Sequence, residues 1–271
     1  MSEAWRIREY APGDVPALSL LWRDVFGDPL SFTAAFFSLL PDMGSAVVAE
    51  MDGKIVGGAS VINGFELLGR GKKRQIVGYI YAVMVHPACR GLGIGKALTL
   101  EAAELARRRE SELVCTLPAG PSLYGWYRKL LGVECVLHRR RFEVACRAGE
   151  PVMELSATEY LLWRDSLLRG RAQLRPSHPT MEFERQFCRQ LGGGLYACAS
   201  GICAAYLDEG VCVIKELICS DADREPIAAA VGAHLGAERC VYYLGAREGE
   251  AYLAAPPGSV PADCVWNLTF D

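Results

Sequence analysis

Hydrophobic positions along this chain change period several times, and each change marks an element. Over residues 5–10 apolar and polar positions alternate, the period of a half-buried strand. The segment PGDVPALSLLWRDVFG shifts to helical spacing, with Asp14 placed as N-cap and Gly27 as stop, and a second helical stretch covers 29–40. Residues 46–51 and 55–65 are apolar runs joined by Asp52-Gly53, a dipeptide that favours a tight hairpin turn. A long strand rich in Ile, Val and Tyr is predicted for Gln75–Val85. After a glycine-rich loop comes a helix to about Arg109, on which Glu104 and Arg108 are spaced for an i,i+4 pair. Residues 113–117 predict a strand and 122–131 a helix ended by Gly132, with two more strands over 133–138 and 141–146.

The polar turn RAGEPVME, near residue 150, closes this series, and a weaker version of the same order follows. Helices are predicted over 156–169 and 181–191, then three strands over 195–199, 202–207 and 211–219 with glycine turns between them. A helix over 225–235, a strand over 240–244 and a last strand in the tail VWNLTF complete it. Two passes through one order predict an internal repeat: an α/β (α+β) chain of two tandem domains, 1–147 and 148–271.

Composition narrows the classes. The chain has 271 residues and is 51% hydrophobic, enough for a buried core in each half. A net charge of −3 argues against wholesale nucleic-acid binding. The eleven cysteines are scattered, odd in number and without a C-x-x-C pair or a preceding signal peptide, which fits a reducing cytoplasm. Four histidines far apart make no zinc pattern, so no metal is expected. No apolar run of ~18 residues occurs, so no membrane span is expected. Charge is unevenly spread: residues 1–150 carry 19 Lys+Arg against 16 Asp+Glu, and residues 151–271 carry 10 against 16.

The most specific feature is VMVHPACRGLGIGKAL. A Walker A loop would need glycine where Arg90 stands and Ser or Thr where Ala97 stands. A dinucleotide fingerprint fails because its third glycine falls on Lys96 or Leu98. What remains is R-x-x-G-x-G between a strand and a helix. Backbone N–H groups at such a helix start converge on an anion, and glycines let a pyrophosphate approach with no Cβ in the way. Arg90 and Lys96 add positive charge at the rim. In the second half the same place reads SDADREPIAAAVGAHL, where Asp221, Asp223 and Glu225 would repel phosphate.

Other residues near the loop read as structure. His86 joins strand to loop and Cys89 abuts it as a bystander thiol. The triplets at 107–109 and 139–141 read as a helix C-terminus matched to its dipole and as a solvated strand end.

The loop with its flanking strand and helix resembles the acetyl-CoA-binding motif of the GNAT N-acetyltransferases, and the element order of about the first 146 residues fits that fold. The resemblance implies a mixed, mostly antiparallel sheet flanked by helices, with the fourth and fifth strands splayed around acetyl-CoA as co-substrate. Val83, Met84 and Val85 would pair by backbone with the pantetheine arm. Arg90, Gly91, Leu92, Gly93, Ile94, Gly95 and Lys96 would cradle the pyrophosphate. The tandem arrangement is similar to members whose second, degenerate GNAT-like domain lacks that loop.

The resemblance also implies a tyrosine acid in the helix after the fifth strand. PSLYGWYRKLLGVE offers Tyr127, which matches best, and Tyr124 as the alternative, while both also suit simple packing. Leu123, Trp126 and Leu130 share a face that reads as core. Many relatives place a glutamate base on the fourth strand, but Gln75–Val85 holds no carboxylate. Tyr79 or Tyr81 could relay a proton through water or merely pack, so no base is named. Two functions follow: acetyl transfer to a primary amine, on a small molecule or peptide, in a ternary complex; or a non-catalytic acyl-CoA sensor or interaction module. The acidic second half would wall the acceptor site and attract a cationic amine, or serve only as solubilising surface.

Overall fold

The structure, a computed structural model, describes residues 5–69, 73–266 and 268. Among them the chain forms two units. The first contains residues up to Leu67, Arg74–Val136 and, returning late in the chain, Leu253–Val260. The second is built on residues 137–252, with short pieces at 68–69, 73 and from Pro261 onward.

The first unit runs β1 (Trp5–Glu9), α1 (Val15–Phe26), α2 (Leu30–Met43), β2 (Gly44–Met51), β3 (Lys54–Leu68), β4 (Gln75–Val85), α3 (Ile94–Arg108), β5 (Leu113–Thr116) and α4 (Pro121–Leu131). Its strands lie in the order β1-β2-β3-β4-β5, antiparallel except for the parallel pair β4–β5. The β2–β3 hairpin closes through Asp52 (φ 49°) and Gly53 (φ 72°), the two left-handed residues that a type I′ turn demands. Gly27, at φ 85°, ends α1 by donating its N–H to the Arg23 carbonyl. Asp14 stands at the α1 N-cap, but its carboxylate accepts from Arg8 and from the Ala11 N–H. A Cβ on Gly57 would meet Ile94 and Leu98 of α3, and one on Gly58 would meet Leu18 of α1. Successive strand residues point to opposite faces, so α1 and α3 cover opposite sides of this sheet. Under α3, Leu98 and Ala102 pack on Val47, Ala49, Val61 and Ile80.

The second unit runs β6 (Glu134–Ala145), β7 (Val152–Glu154), α5 (Ala157–Leu167), β8 (Gln173–Pro176), α6 (His178–Gln190), β9 (Gly194–Cys198), β10 (Gly201–Asp208), β11 (Val211–Ile218), α7 (Arg224–His234), β12 (Arg239–Ala246) and β13 (Glu250–Ala255). Strands follow the order β6-β12-β11-β10-β9-β7, with β11–β12 parallel. Ser156 and Glu159 form a reciprocal capping box at the start of α5. The end of β13 belongs to the first unit, where Ala254 pairs with Thr116.

Several expectations are corrected. The two strands expected over 133–138 and 141–146 are one twelve-residue strand, β6. No turn interrupts it because Arg139 is held: its guanidinium pairs with Glu250 and lies over the Tyr243 and Tyr252 rings at 4.2 and 4.4 Å. The contact-defined units also differ from a division at 147/148, since residues 138–145 are laddered to β12. RAGEPVME is not all turn: β7 lies in it, and β8 and β13 were unforeseen. Glu104 pairs with Arg107 rather than Arg108, which reaches Glu101 instead. The tail strand VWNLTF lies partly outside the described residues; within it Val265 bridges Gln173. No helix among the described residues is long and apolar enough to cross a membrane.

Candidate functional site

The parallel ladder between β4 and β5 is short. It runs from Val77 opposite Leu113 to Ile80 opposite Thr116, where β5 ends. There the Thr116 hydroxyl donates to the Ile80 carbonyl at 3.0 Å. β4 continues for five more residues without β5 beside it. On its other edge β4 stays paired with β3, but the register slips: Ser60 faces Tyr81 and Gly58 faces Met84, so Ala82 and Val83 share one partner position. This is a β-bulge, and Ala82 sits at φ 52° within it. A bulge bends its strand, here at the point where β4 parts from β5.

The glycine loop follows directly. His86 caps a 3-10 turn, its Nδ1 accepting from the Ala88 N–H at 3.3 Å, and Cys89 is buried beneath. Both therefore have structural roles here. Gly91 and Gly93 lie at φ 83° and 82°, and beyond the adjacent residues no described atom lies within 4 Å of where either Cβ would stand. The first helical bond of α3 is from Ala97 N–H to the Gly93 carbonyl at 3.1 Å. The N–H groups of Ile94, Gly95 and Lys96 therefore point out of the helix end. Ile94 is 1% exposed and anchors the loop in the core. Arg90 and Lys96 are exposed, and Arg90 Nε donates to the Val85 carbonyl at 3.3 Å. Open space, aligned N–H groups and two cations fit a pyrophosphate. Val83 and Val85 are half-buried against the α3 core, and Met84 is buried beside Gly58. Along these residues the β4 edge away from β3 has no β5 beside it.

Across the fork stands α4. Tyr127 is its one buried residue, 7% exposed, packed with Val133 and Ala254 and edge-on to Trp126 at 4.8 Å. Thr116, at the last β4–β5 pair, is the polar side chain that acts on the Tyr127 hydroxyl. Burial pushes the phenol above its ordinary value, and the Thr116 bond pulls partly the other way. Tyr124 is half-buried and packs on the same cluster. Leu123, expected in the core, is exposed: the buried face of α4 is the one bearing Tyr127. Tyr79 is buried against Phe65 and Tyr81, while Tyr81 packs on Trp22 and Phe36. Thr116 and the Ala82 bulge were not anticipated. A polar residue ending the apolar run LVCT was the available signal for the first; the second had none.

The second unit repeats the parting without the loop. β11 pairs with β12 from Cys212–Cys240 to Ile214–Tyr242, and Lys215 is then extra in the register against β10. The chain passes through a 3-10 turn, Asp221–Asp223, straight into α7. The Asp223 carboxylate accepts from Ser200 and Ser220, both at 2.8 Å, which holds it below the usual carboxylate range. Asp221 pairs with Arg224. Beyond the parting, Glu216 is fully buried, taking both arms of Arg164 at 3.0 Å and the Tyr160 hydroxyl at 3.0 Å. Lys215 and Glu184 form a second buried pair at 3.0 Å.

Residues 16–133 match the family model described as Acetyltransferase (GNAT) family. Among solved structures, a GCN5-related N-acetyltransferase from Kribbella flavida aligns at a TM-score of 0.68 and 18% identity, over 93% of this chain and 70% of that one. A GCN5-related N-acetyltransferase from Anabaena variabilis ATCC 29413 aligns at 0.62 and 12%, over 93% and 72%. Eis1 from Mycobacterium abscessus aligns at 0.61 and 15%, over 92% and 73%. At such identities the likeness is one of fold. No curated protein sequence matches the chain.

Proposed function

Starting from a GNAT acetyltransferase domain at residues 16–133, we propose that the chain transfers the acetyl group of acetyl-CoA to a primary amine by direct attack in a ternary complex. The observation that carries this reading is the fork: the anion cradle opens at its mouth and the Tyr127 hydroxyl stands at its apex. The N–H groups of Ile94, Gly95 and Lys96, with the Arg90 and Lys96 side chains, would hold the pyrophosphate. Val83, Met84 and Val85 would pair with the pantetheine arm as an added strand, on the edge that β5 leaves open.

The thioester supplies an electrophilic acyl carbon and a thiolate leaving group. Tyr127 would protonate that sulfur as it leaves. Its burial keeps the phenol protonated at neutral pH, the state a general acid requires. Between Gln75 and Val85 there is no carboxylate, so the attacking amine would lose its proton through water. The acceptor class is a small-molecule or peptide amine. The excess of 16 acidic over 10 basic residues in 151–271 favours a cationic one.

A thiol-release assay over a panel of amines tests the proposal. Turnover with at least one amine, lost in Tyr127→Phe, is expected. The missing β4 carboxylate favours one other reading, a non-catalytic acyl-CoA-binding module. Tight acetyl-CoA binding with no thiol release for any amine would select it.

A further inference from the structure

We infer that the second unit carries a binding site of its own, for a small zwitterion of the amino-acid type with an apolar side chain. Such a site is independent of acetyl transfer. A cavity of about 380 Å³, lined by residues of that unit, lies where the chain leaving β6 meets the β9–β10 turn and the start of α7. Its wall is fixed by backbone: the Cys146 N–H donates to the Glu238 carbonyl at 2.9 Å, and the Arg147 N–H to the Ala229 carbonyl at 3.2 Å. Gly149 runs so close to α7 that a Cβ there would stand 3.2 Å from the Ala230 Cβ. The buried part of the lining, Cys198 and Ile227, is apolar. The Cys198 thiol approaches the Glu150 carbonyl at 3.8 Å and burial raises its titration, so it serves as lining rather than as a nucleophile.

Three charged side chains share this cavity: Arg147, Glu150 and Asp223. Among the described residues, the Arg147 guanidinium and the Glu150 carboxylate form no ion pair or side-chain hydrogen bond, with each other or with any other group. Asp223 accepts both Ser200 and Ser220 on Oδ2, at 2.8 Å each, which leaves Oδ1 without a described partner. A plain cation entering here would meet the guanidinium, and a plain anion the two carboxylates. A ligand bearing both charges satisfies all three. Its ammonium would donate to Asp223 Oδ1 and Glu150, its carboxylate would accept from the fork of Arg147, and its side chain would cover Cys198 and Ile227. The start of α7 does not compete for the carboxylate, because Pro226 has no N–H to offer and the N-cap residue is Asp223. The volume is that of a small-molecule pocket.

Melting of the full chain is followed with each of the common L-amino acids. The best ligand is then taken to calorimetry beside the amine that lacks its carboxylate and the acid that lacks its ammonium. Saturable binding of an amino acid with an apolar side chain is expected, with either truncated ligand at least ~10-fold weaker. Arg147→Met and Asp223→Asn should each weaken binding ~10–10²-fold while the unliganded protein melts as wild type does. If Asp223→Asn disturbs folding, Glu150→Gln takes its place. No melting shift with any amino acid, a best ligand with a charged side chain, a truncated ligand bound as tightly as the amino acid, or binding that survives the substitutions would overturn the inference.

Discussion

Both units build three antiparallel strands, pass a bulge where a parallel neighbour stops, and enter a helix. In the first, the residue that re-enters register after the bulge is Met84; in the second it is Glu216. Met84 packs between Gly58 and the core, and the chain then opens into a loop with two left-handed glycines. Glu216 is instead locked to Arg164 and Tyr160, and the chain closes through an acidic turn whose carboxylates are already engaged. One order of elements thus supports an open glycine loop in one unit and a filled, ion-paired interior in the other. The site is a property of the loop and of what lies under the parting, rather than of the element order alone.

The largest effect expected on either unit is chemical. Tyr127→Phe should lower kcat ~10²–10⁴-fold with little change in acetyl-CoA affinity, whereas Tyr124→Phe should remain near wild type; steady-state kinetics and calorimetry decide. The reverse pattern would move the acid one turn back along α4.

The second unit should answer in stability instead. Glu216→Ala leaves the Arg164 guanidinium buried without its carboxylate, a loss of about 3–5 kcal/mol in a urea titration. Replacing both partners by apolar residues, Arg164→Leu with Glu216→Met, should recover most of that loss, because a matched apolar pair carries no stranded charge. If the single and double variants are equally unstable, the pair is not what closes this unit.

The first unit also depends on chain far beyond its own run. Leu253 is fully buried and belongs to it, with Ala254 laddered to Thr116. Leu253→Ala is expected to cost ~2–5 kcal/mol, and a chain ending at residue 150 should lose its cooperative melt. Retention of that melt would show that the first unit closes without its late strand.

The smallest effect expected is electrostatic. The apparent KM for a cationic amine should rise a few-fold between ~0.05 and ~0.5 M salt, with a smaller rise for a neutral one. Equal responses would remove the acidic surface from the account.

Much of the fold and of the glycine loop's geometry was legible because it depends on local chemistry. A turn through two left-handed residues needs Asp52-Gly53, and a loop with two more left-handed positions needs Gly91 and Gly93, so residue types record both. Pairings made over long distances left no such record. Nothing near Thr116 announces Ala254 as its neighbour, and nothing in the arginine run 139–141 announces Glu250 and two tyrosine rings. Buried ion pairs were equally hidden, since Arg164 and Glu216 look like surface charges until the fold brings them together. The buried face of α4 was misread because Leu123 and Trp126 outweigh tyrosine on hydropathy, whereas a phenol with a partner for its hydroxyl buries well.

The account's central claim is that only the first unit holds acetyl-CoA. Isothermal calorimetry of the full chain against acetyl-CoA, beside Gly93→Glu, tests it most directly. That substitution puts a side chain and a negative charge into open space at φ 82°, where a phosphate would stand. The account predicts a single site per chain, abolished by the substitution with the melting transition retained. Two sites, or one that survives Gly93→Glu, would contradict it.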